Sequence, residues 1–216
     1  MNISYGITVC NEADELNKLL EILIHKTDKE DEIVICVDAK DFCPADDEVR
    51  FVLDSWTQQY GHSKTIKVYQ RTLNKDFAAQ KNSVIENCKG DYIFHLDADE
   101  YPNEILLSQI KQVLEMNEVD LIWVPRVNTV EGLTDEHCVK WGWRITEKGW
   151  VNYPDYQARI FKNSSEIRWV RSVHEVIEGA KKYSYLPPVE ELGLYHPKTI
   201  EKQEKQNALY STISNQ

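Results

Sequence analysis

The sequence predicts an α/β fold with a mostly parallel central sheet, flanking helices and a small antiparallel C-terminal part. Three observations predict it. Over the first 128 residues, short β-branched and apolar runs alternate with polar turns and helix-period segments, the rhythm of parallel strands joined by crossover helices. Within the intervening segments apolar residues recur at i, i+3, i+4 and i+7, as one face of a helix requires. After Asn128 the rhythm breaks into an aromatic, Gly-containing stretch that alternates residue by residue.

Strands are expected at Ile3 to Cys10, Glu32 to Val37, Thr65 to Tyr69, Tyr92 to Leu96 and Leu121 to Val127. Between the first two, Asn11 is placed to cap a helix whose Leu16, Leu19, Leu20 and Leu23 form one stripe. Asp46 to Tyr60 is the least regular crossover. Asp76 opens the next helix, with Phe77, Val84, Ile85 and Cys88 inward and Gly90 positioned to end it. Asn103 opens another, burying Leu106, Ile110, Val113 and Leu114. Alternation of Trp141, Trp143 and Ile145 predicts a short antiparallel strand or hairpin. Further strands are expected around Gln157 to Lys162, Ser172 to Ile177 and Leu192 to Tyr195, then a helix from about Thr199. With no Pro-, Gly- or Ser-rich linker, residues 1–216 read as one domain: a first half 1–128, a second half 129–198 docked on it, and a closing helix 199–216.

Composition narrows the class. Apolar residues at 42% and charged residues at 28% can build a packed core and exclude a disordered tail. Lys and Arg number 25 against 36 Asp and Glu, a net charge of -11 that repels nucleic acid and gives no basic cluster for anionic lipid. No apolar run approaches the roughly 18 residues of a membrane span, and the N-terminus lacks a signal-peptide pattern. Five scattered cysteines, Cys10, Cys36, Cys43, Cys88 and Cys138, suit reduced thiols. The expectation is a soluble cytoplasmic protein, with peripheral membrane attachment through its substrate left open; oligomeric state is not legible.

The most informative run is DYIFHLDADEYPNE, residues 91–104. An apolar strand delivers Asp97, Ala98, Asp99 and Glu100 to its C-terminal end, the edge at which parallel sheets bind ligands. Residues i and i+2 of an extended chain point the same way, so Asp97 and Asp99 can converge on a hard cation such as Mg2+ or Mn2+. Three acidic groups in four residues also repel one another unless a cation or protons neutralise them. A solvated acidic turn capping the next helix is the alternative for an isolated D-x-D. Two other strand ends add Asp38, and Thr8, Asn11 and Glu12, to the same edge; Asn11 alone reads equally as a helix cap.

These runs, ITVCNEADEL, the strand with Asp38, DFAAQKNSVIENCKGDYIFHLDADE, RSVHEVIEG and LYHPK, resemble the family 2 glycosyltransferases with the GT-A fold. They are most similar to the branch that builds surface polysaccharide and lipopolysaccharide core. The resemblance implies that Asp97 and Asp99 hold Mn2+ or Mg2+ on the diphosphate of a nucleotide-sugar, with His196 as a third ligand and Asp38 on the base, usually uracil. Asp76, Lys81 and Asn82 stand where relatives carry D-F-x-x-x-R-N; Lys81 replaces Arg, which turns a bidentate grip into a point charge. Thr8, Asn11, Glu12 and Ala98 would complete the donor site. Glu175, after His174, would be the base that accepts the proton of a glycan or glycolipid hydroxyl.

Each assignment has a plain structural counterpart. Glu175 also fits a surface acid in strand alternation, His174 a satisfied core polar group, and His196 a structural histidine. Trp141, Trp143, Trp150, Tyr153 and Tyr156 can stack on sugars or fill a core. Arg159, Arg168 and Arg171 can bind phosphate or pair with carboxylates, with Arg171 slightly ahead. His95 reads as packing. The functional expectation is a metal-dependent, inverting transferase acting from a UDP-sugar. A catalytically silent sugar-binding module of the same fold and a sugar nucleotidylyltransferase-like enzyme are the rivals.

Overall fold

The structure, a computed structural model, describes residues 1–39 and 47–214. Cys43 and Asp46 therefore lie outside the described residues. In chain order the elements are β1 (Ile3–Val9), α1 (Ala13–Lys26), β2 (Glu32–Asp38), α2 (Asp47–Tyr60), β3 (Thr65–Arg71), α3 (Phe77–Asn87), β4 (Tyr92–Asp97), β5 (Tyr101–Pro102) and α4 (Glu104–Asn117). There follow β6 (Leu121–Glu131), α5 (Asp135–Trp141), β7 (Val151–Lys162), β8 (Arg168–Val170), β9 (Val176–Glu178), β10 (Tyr183–Tyr185), β11 (Leu194–Thr199) and α6 (Ile200–Ser214).

The central sheet runs β3-β2-β1-β4-β7-β6-β11-β5, with β10 also on β6. Pairing among β3, β2, β1 and β4 is parallel, as the strand-helix rhythm predicts. β7 departs from it. This late strand enters between β4 and β6 and pairs antiparallel with both, so the two halves share one sheet instead of docking side by side.

Because successive side chains of a strand face opposite ways, β2 sends Ile33, Ile35 and Val37 to one core and Val34 and Cys36 to another. The first lies under α1, α2 and α4, where Leu16, Leu19, Leu20, Leu23, Leu106 and Ile110 are buried as expected. The second lies under α3 and the β8–β9 hairpin, around Val84, Ile85, Phe161 and Trp169. α2 is a regular 14-residue helix that buries Val49 and Leu53, contrary to the irregular reading of that crossover.

Other differences have local causes. Asn11 does not cap α1: the helix starts at Ala13, and Glu12 turns back so that its carboxylate accepts from the Cys10 and Asn11 amides at 2.9 and 3.0 Å. Asp76 and Asn103 do cap α3 and α4, accepting from the Ala79 and Ile105 amides. Gly90 does not end α3, which closes at Asn87; a Cβ there would sit 2.6 Å from the Ser4 amide nitrogen, so the residue is small because two backbones meet. Trp141 is instead the last residue of α5, which a Thr134–His137 capping box opens and Gly142 at φ 66° stops; the expected antiparallel pairing begins at Ile145, which bridges Val151. Residues 171–175 form a loop between β8 and β9. Among the described residues no helix is long and apolar enough to cross a membrane, and Cys10, Cys36, Cys88 and Cys138 form no disulfide with one another.

Candidate active site

The C-terminal ends of β1, β2 and β4 open onto one cleft of about 690 Å3, the position at which open α/β sheets take ligands. Thr8 and Glu12 reach it from β1 and the turn after it, Asp38 from β2, and Asp97, Ala98 and Asp99 from β4. Parallel register sets Thr8 against Asp97, and the Thr8 hydroxyl donates to Asp97 Oδ1 at 3.1 Å. α3 adds Lys81, the loop before β9 adds His174 and Glu175, and β11 adds His196. β6 and β7 contribute Arg126, Asn128, Asp155 and Arg159.

A ladder of alternating charge crosses the floor. Glu175 Oε1 lies 2.6 Å from Lys81 Nζ, which lies 3.5 Å from Asp97 Oδ1 and 4.6 Å from the centroid of the Trp169 ring. Asp97 Oδ2 accepts from Arg159 at 2.7 Å, and the same guanidinium donates to Glu100 Oε1 at 2.6 Å. Arg126 reaches that Glu100 oxygen at 2.9 Å and Asp155 at 2.6 Å. Glu100 is fully buried and Arg159 is 3% exposed. Burial alone would raise the Asp97 pKa, but Lys81 and Arg159 hold it well below the usual carboxylate range. The repulsion expected within the acidic turn is thus relieved at Asp97 and Glu100 by arginines from β6 and β7. Beneath the ladder, burial keeps His95 neutral, its ring edge-on to Trp169.

Asp99 is different. Its Oδ2 lies 3.5 Å from His196 Nε2. On the far side of that imidazole, Nδ1 is 2.7 Å from Asn128 Oδ1, and Asn128 Nδ2 donates to Asp155 at 2.8 Å. A carboxylate only accepts, so Asp155 fixes the Asn128 amide with its oxygen toward His196. In its neutral form His196 then carries its proton on Nδ1, and its Nε2 lone pair faces the Asp99 oxygen. Burial lowers the His196 pKa despite the nearby Asp99 carboxylate, which favours this neutral form. Two acceptors facing each other at this distance suit a shared divalent cation, with an oriented imidazole as one ligand. Among the described residues no three His, Cys, Asp or Glu side chains form a complete cage, so further ligands would come from phosphate oxygens and water. Asp97, the other ligand expected from the sequence, has its oxygens met by Arg159, Lys81 and Thr8.

Of the residues singled out from the sequence, Thr8, Glu12, Asp38, Lys81, Asp97, Ala98, Asp99, Trp143, His174, Glu175 and His196 line the cleft. Asn11, Asp76, Asn82, Trp141 and Arg171 do not. Asn82 holds β8 through both its amide atoms, bonding the Trp169 backbone at 2.8 and 2.9 Å, and Trp141 packs on His137 and Trp143. Arg171 is exposed on the loop, and the arginine that reaches the acidic turn is Arg159. Arg126, Asp155 and Asn128 escaped the sequence reading. Their signal was charge and amide inside otherwise apolar strands, where Arg126 and Asp155 are register partners.

The model of the family "Glycosyl transferase family 2" matches residues 4–167. A poly(ribitol-phosphate) beta-glucosyltransferase of Bacillus spizizenii is 31% identical over 123 residues, 56% of this chain and 18% of that protein. Among solved structures, S. aureus TarS 1-349 in complex with UDP-GlcNAc superposes with a TM-score of 0.62 at 17% identity, covering 92% of this chain and 59% of that one. Its complex with UDP gives 0.63 at 17% identity, over 91% and 60%. The chain therefore spans about three fifths of the TarS chains and under a fifth of the curated relative. The structural likeness identifies the GT-A fold, and the family match, over about three quarters of the sequence, shows that this chain belongs to glycosyl transferase family 2.

Proposed function

We propose that the protein transfers a sugar from a UDP-sugar to a hydroxyl of a glycan or glycolipid acceptor, with inversion and with a divalent cation, Mn2+ or Mg2+. The facing Asp99 Oδ2 and His196 Nε2 carry this reading: a lone pair locked toward a carboxylate at a strand-end cleft is a cation site open on its remaining positions. A cation held there supplies charge neutralisation for a departing diphosphate. Asp38 suits the base. Its Oδ1 accepts from the Leu73 amide at 2.9 Å, whereas its buried Oδ2 has no hydrogen-bond partner among the described residues and can accept the imide N–H of uracil. Relatives solved with UDP and UDP-GlcNAc support that choice of donor.

Glu175 is the base in this scheme, part-exposed at the cleft and pinned by Lys81. The acceptor oxygen attacks C1 of the sugar, the C1–phosphate oxygen bond breaks, and the hydroxyl proton passes to the Glu175 carboxylate. A single displacement needs no protein nucleophile. In this reading residues 1–128 supply most donor contacts and 129–198 the base and the acceptor wall of one domain; Trp143, assigned to that wall, lines the cleft. The test is calorimetric titration of UDP with Mn2+ and with chelator. Wild-type protein should bind only with the ion, and Asp99→Asn should lose that binding while retaining its circular dichroism spectrum. Equal UDP binding by the variant removes the assignment.

A further inference from the structure

Asp99 Oδ2 has a second neighbour. Lys202, on the first turn of α6, places Nζ 3.2 Å from that oxygen and 3.1 Å from Glu15 Oε1 of α1. The same segment lines the cleft with Lys198, Gln203 and Gln206, and Lys198 is tied to Gln206 at 2.6 Å. A cation shared by Asp99 and His196 would lie about 2.1 Å from the oxygen that Lys202 now neutralises. Two positive charges on one carboxylate oxygen repel strongly in a partly buried site. The ion and the ammonium therefore compete for Oδ2.

We propose that Lys202 is a further donor-binding residue, which gives up its pairing with Asp99 to the divalent ion and transfers to the diphosphate bound to it. This deepens the donor reading above and rests on it. The incoming anion supplies the new partner: a diphosphate bound to the Asp99 ion brings its oxygens within reach of a four-carbon stem anchored beside the site. Glu15 keeps the ammonium near the cleft mouth during the exchange.

The two roles have opposite signs, which makes them separable. Lys202→Met keeps the stem and removes the charge. It should tighten binding of Mn2+ alone roughly five- to tenfold, read from the electron paramagnetic resonance signal of free Mn2+, because the ion no longer displaces a competitor. It should weaken UDP binding at saturating Mn2+ by a similar factor, read by calorimetry. Lys202→Arg should return both values toward wild type. If Lys202→Met leaves Mn2+ affinity unchanged or weaker, Lys202 is no placeholder and the inference fails. Unchanged UDP affinity removes the transfer to diphosphate. A wild-type protein that binds no Mn2+ even with UDP overturns the cation site itself, an outcome distinct from either of those.

Discussion

Glu100 is the keystone of the charge ladder, and Glu100→Gln tests whether that ladder holds the cleft edge together. The carboxylate is fully buried, takes Arg159 and Arg126 on Oε1, and accepts the Asp97 amide on Oε2 at 3.2 Å. Glutamine has the same shape but one oxygen. Facing that oxygen toward the guanidiniums sets its amino group against the Asp97 N–H; turning it sets the amino group against two guanidiniums. Either way a buried donor loses its acceptor. Breaking a buried ion pair from one side costs about 3–5 kcal/mol, and the lower end applies where other partners remain. They do: Arg159 keeps Asp97 and Arg126 keeps Asp155. A loss of about 3 kcal/mol, at a urea m-value of about 2 kcal/mol/M, moves the unfolding midpoint down by about 1.5 M. The assay is urea unfolding followed by circular dichroism with the m-value fitted. A midpoint within about 0.3 M of wild type at unchanged m refutes the view that the ladder is a coupled structural unit.

Three further outcomes are expected. Gly90→Ala forces a methyl against the Ser4 and Asn2 backbones; at about 2 kcal/mol this lowers Tm by about 4–8 °C in calorimetry, and an unchanged Tm would mean that the contact opens freely. Asn128→Leu frees the His196 tautomer, so UDP affinity with Mn2+ should fall about 10- to 100-fold while the circular dichroism spectrum stays as in wild type; full affinity would break the relay from Asp155. Glu175→Gln should spare UDP binding yet slow transfer about 10²- to 10⁴-fold in a radiolabelled-sugar assay, and transfer within tenfold of wild type moves the base elsewhere.

Much of the cleft edge was legible in the sequence because its signals are local. An apolar strand that runs into Asp97, Ala98 and Asp99, a leucine stripe in α1, and Asp76 and Asn103 at helix starts each lie within one element. What stayed hidden depends on residues far apart. β7 shows alternation but nothing that says which strands it separates, and Arg159 meets Asp97 only because it separates β4 from β6. Trp141, at the end of the seven-residue α5, misled because a capping box and Gly142 outweigh a two-residue period there, whereas Ile145 does bridge Val151 antiparallel. Lys202 lies in a helix whose mixed charges look like a solvated surface, and its approach to Asp99 is a tertiary fact.

The late arrival of β7 also orders events during synthesis. Until residue 162 has left the ribosome, β4 presents Tyr92, Ile93 and Phe94 as an unpaired edge, the kind of open template that other chains adopt. Asp97 waits equally long for Arg159. A nascent or truncated chain of the first 128 residues would carry every carboxylate of the acidic turn and Arg126, but not Arg159, the arginine that bridges Asp97 and Glu100. The strand that joins the two halves of the sheet thus also completes the pairing of Asp97, which forms only in chains made through Arg159.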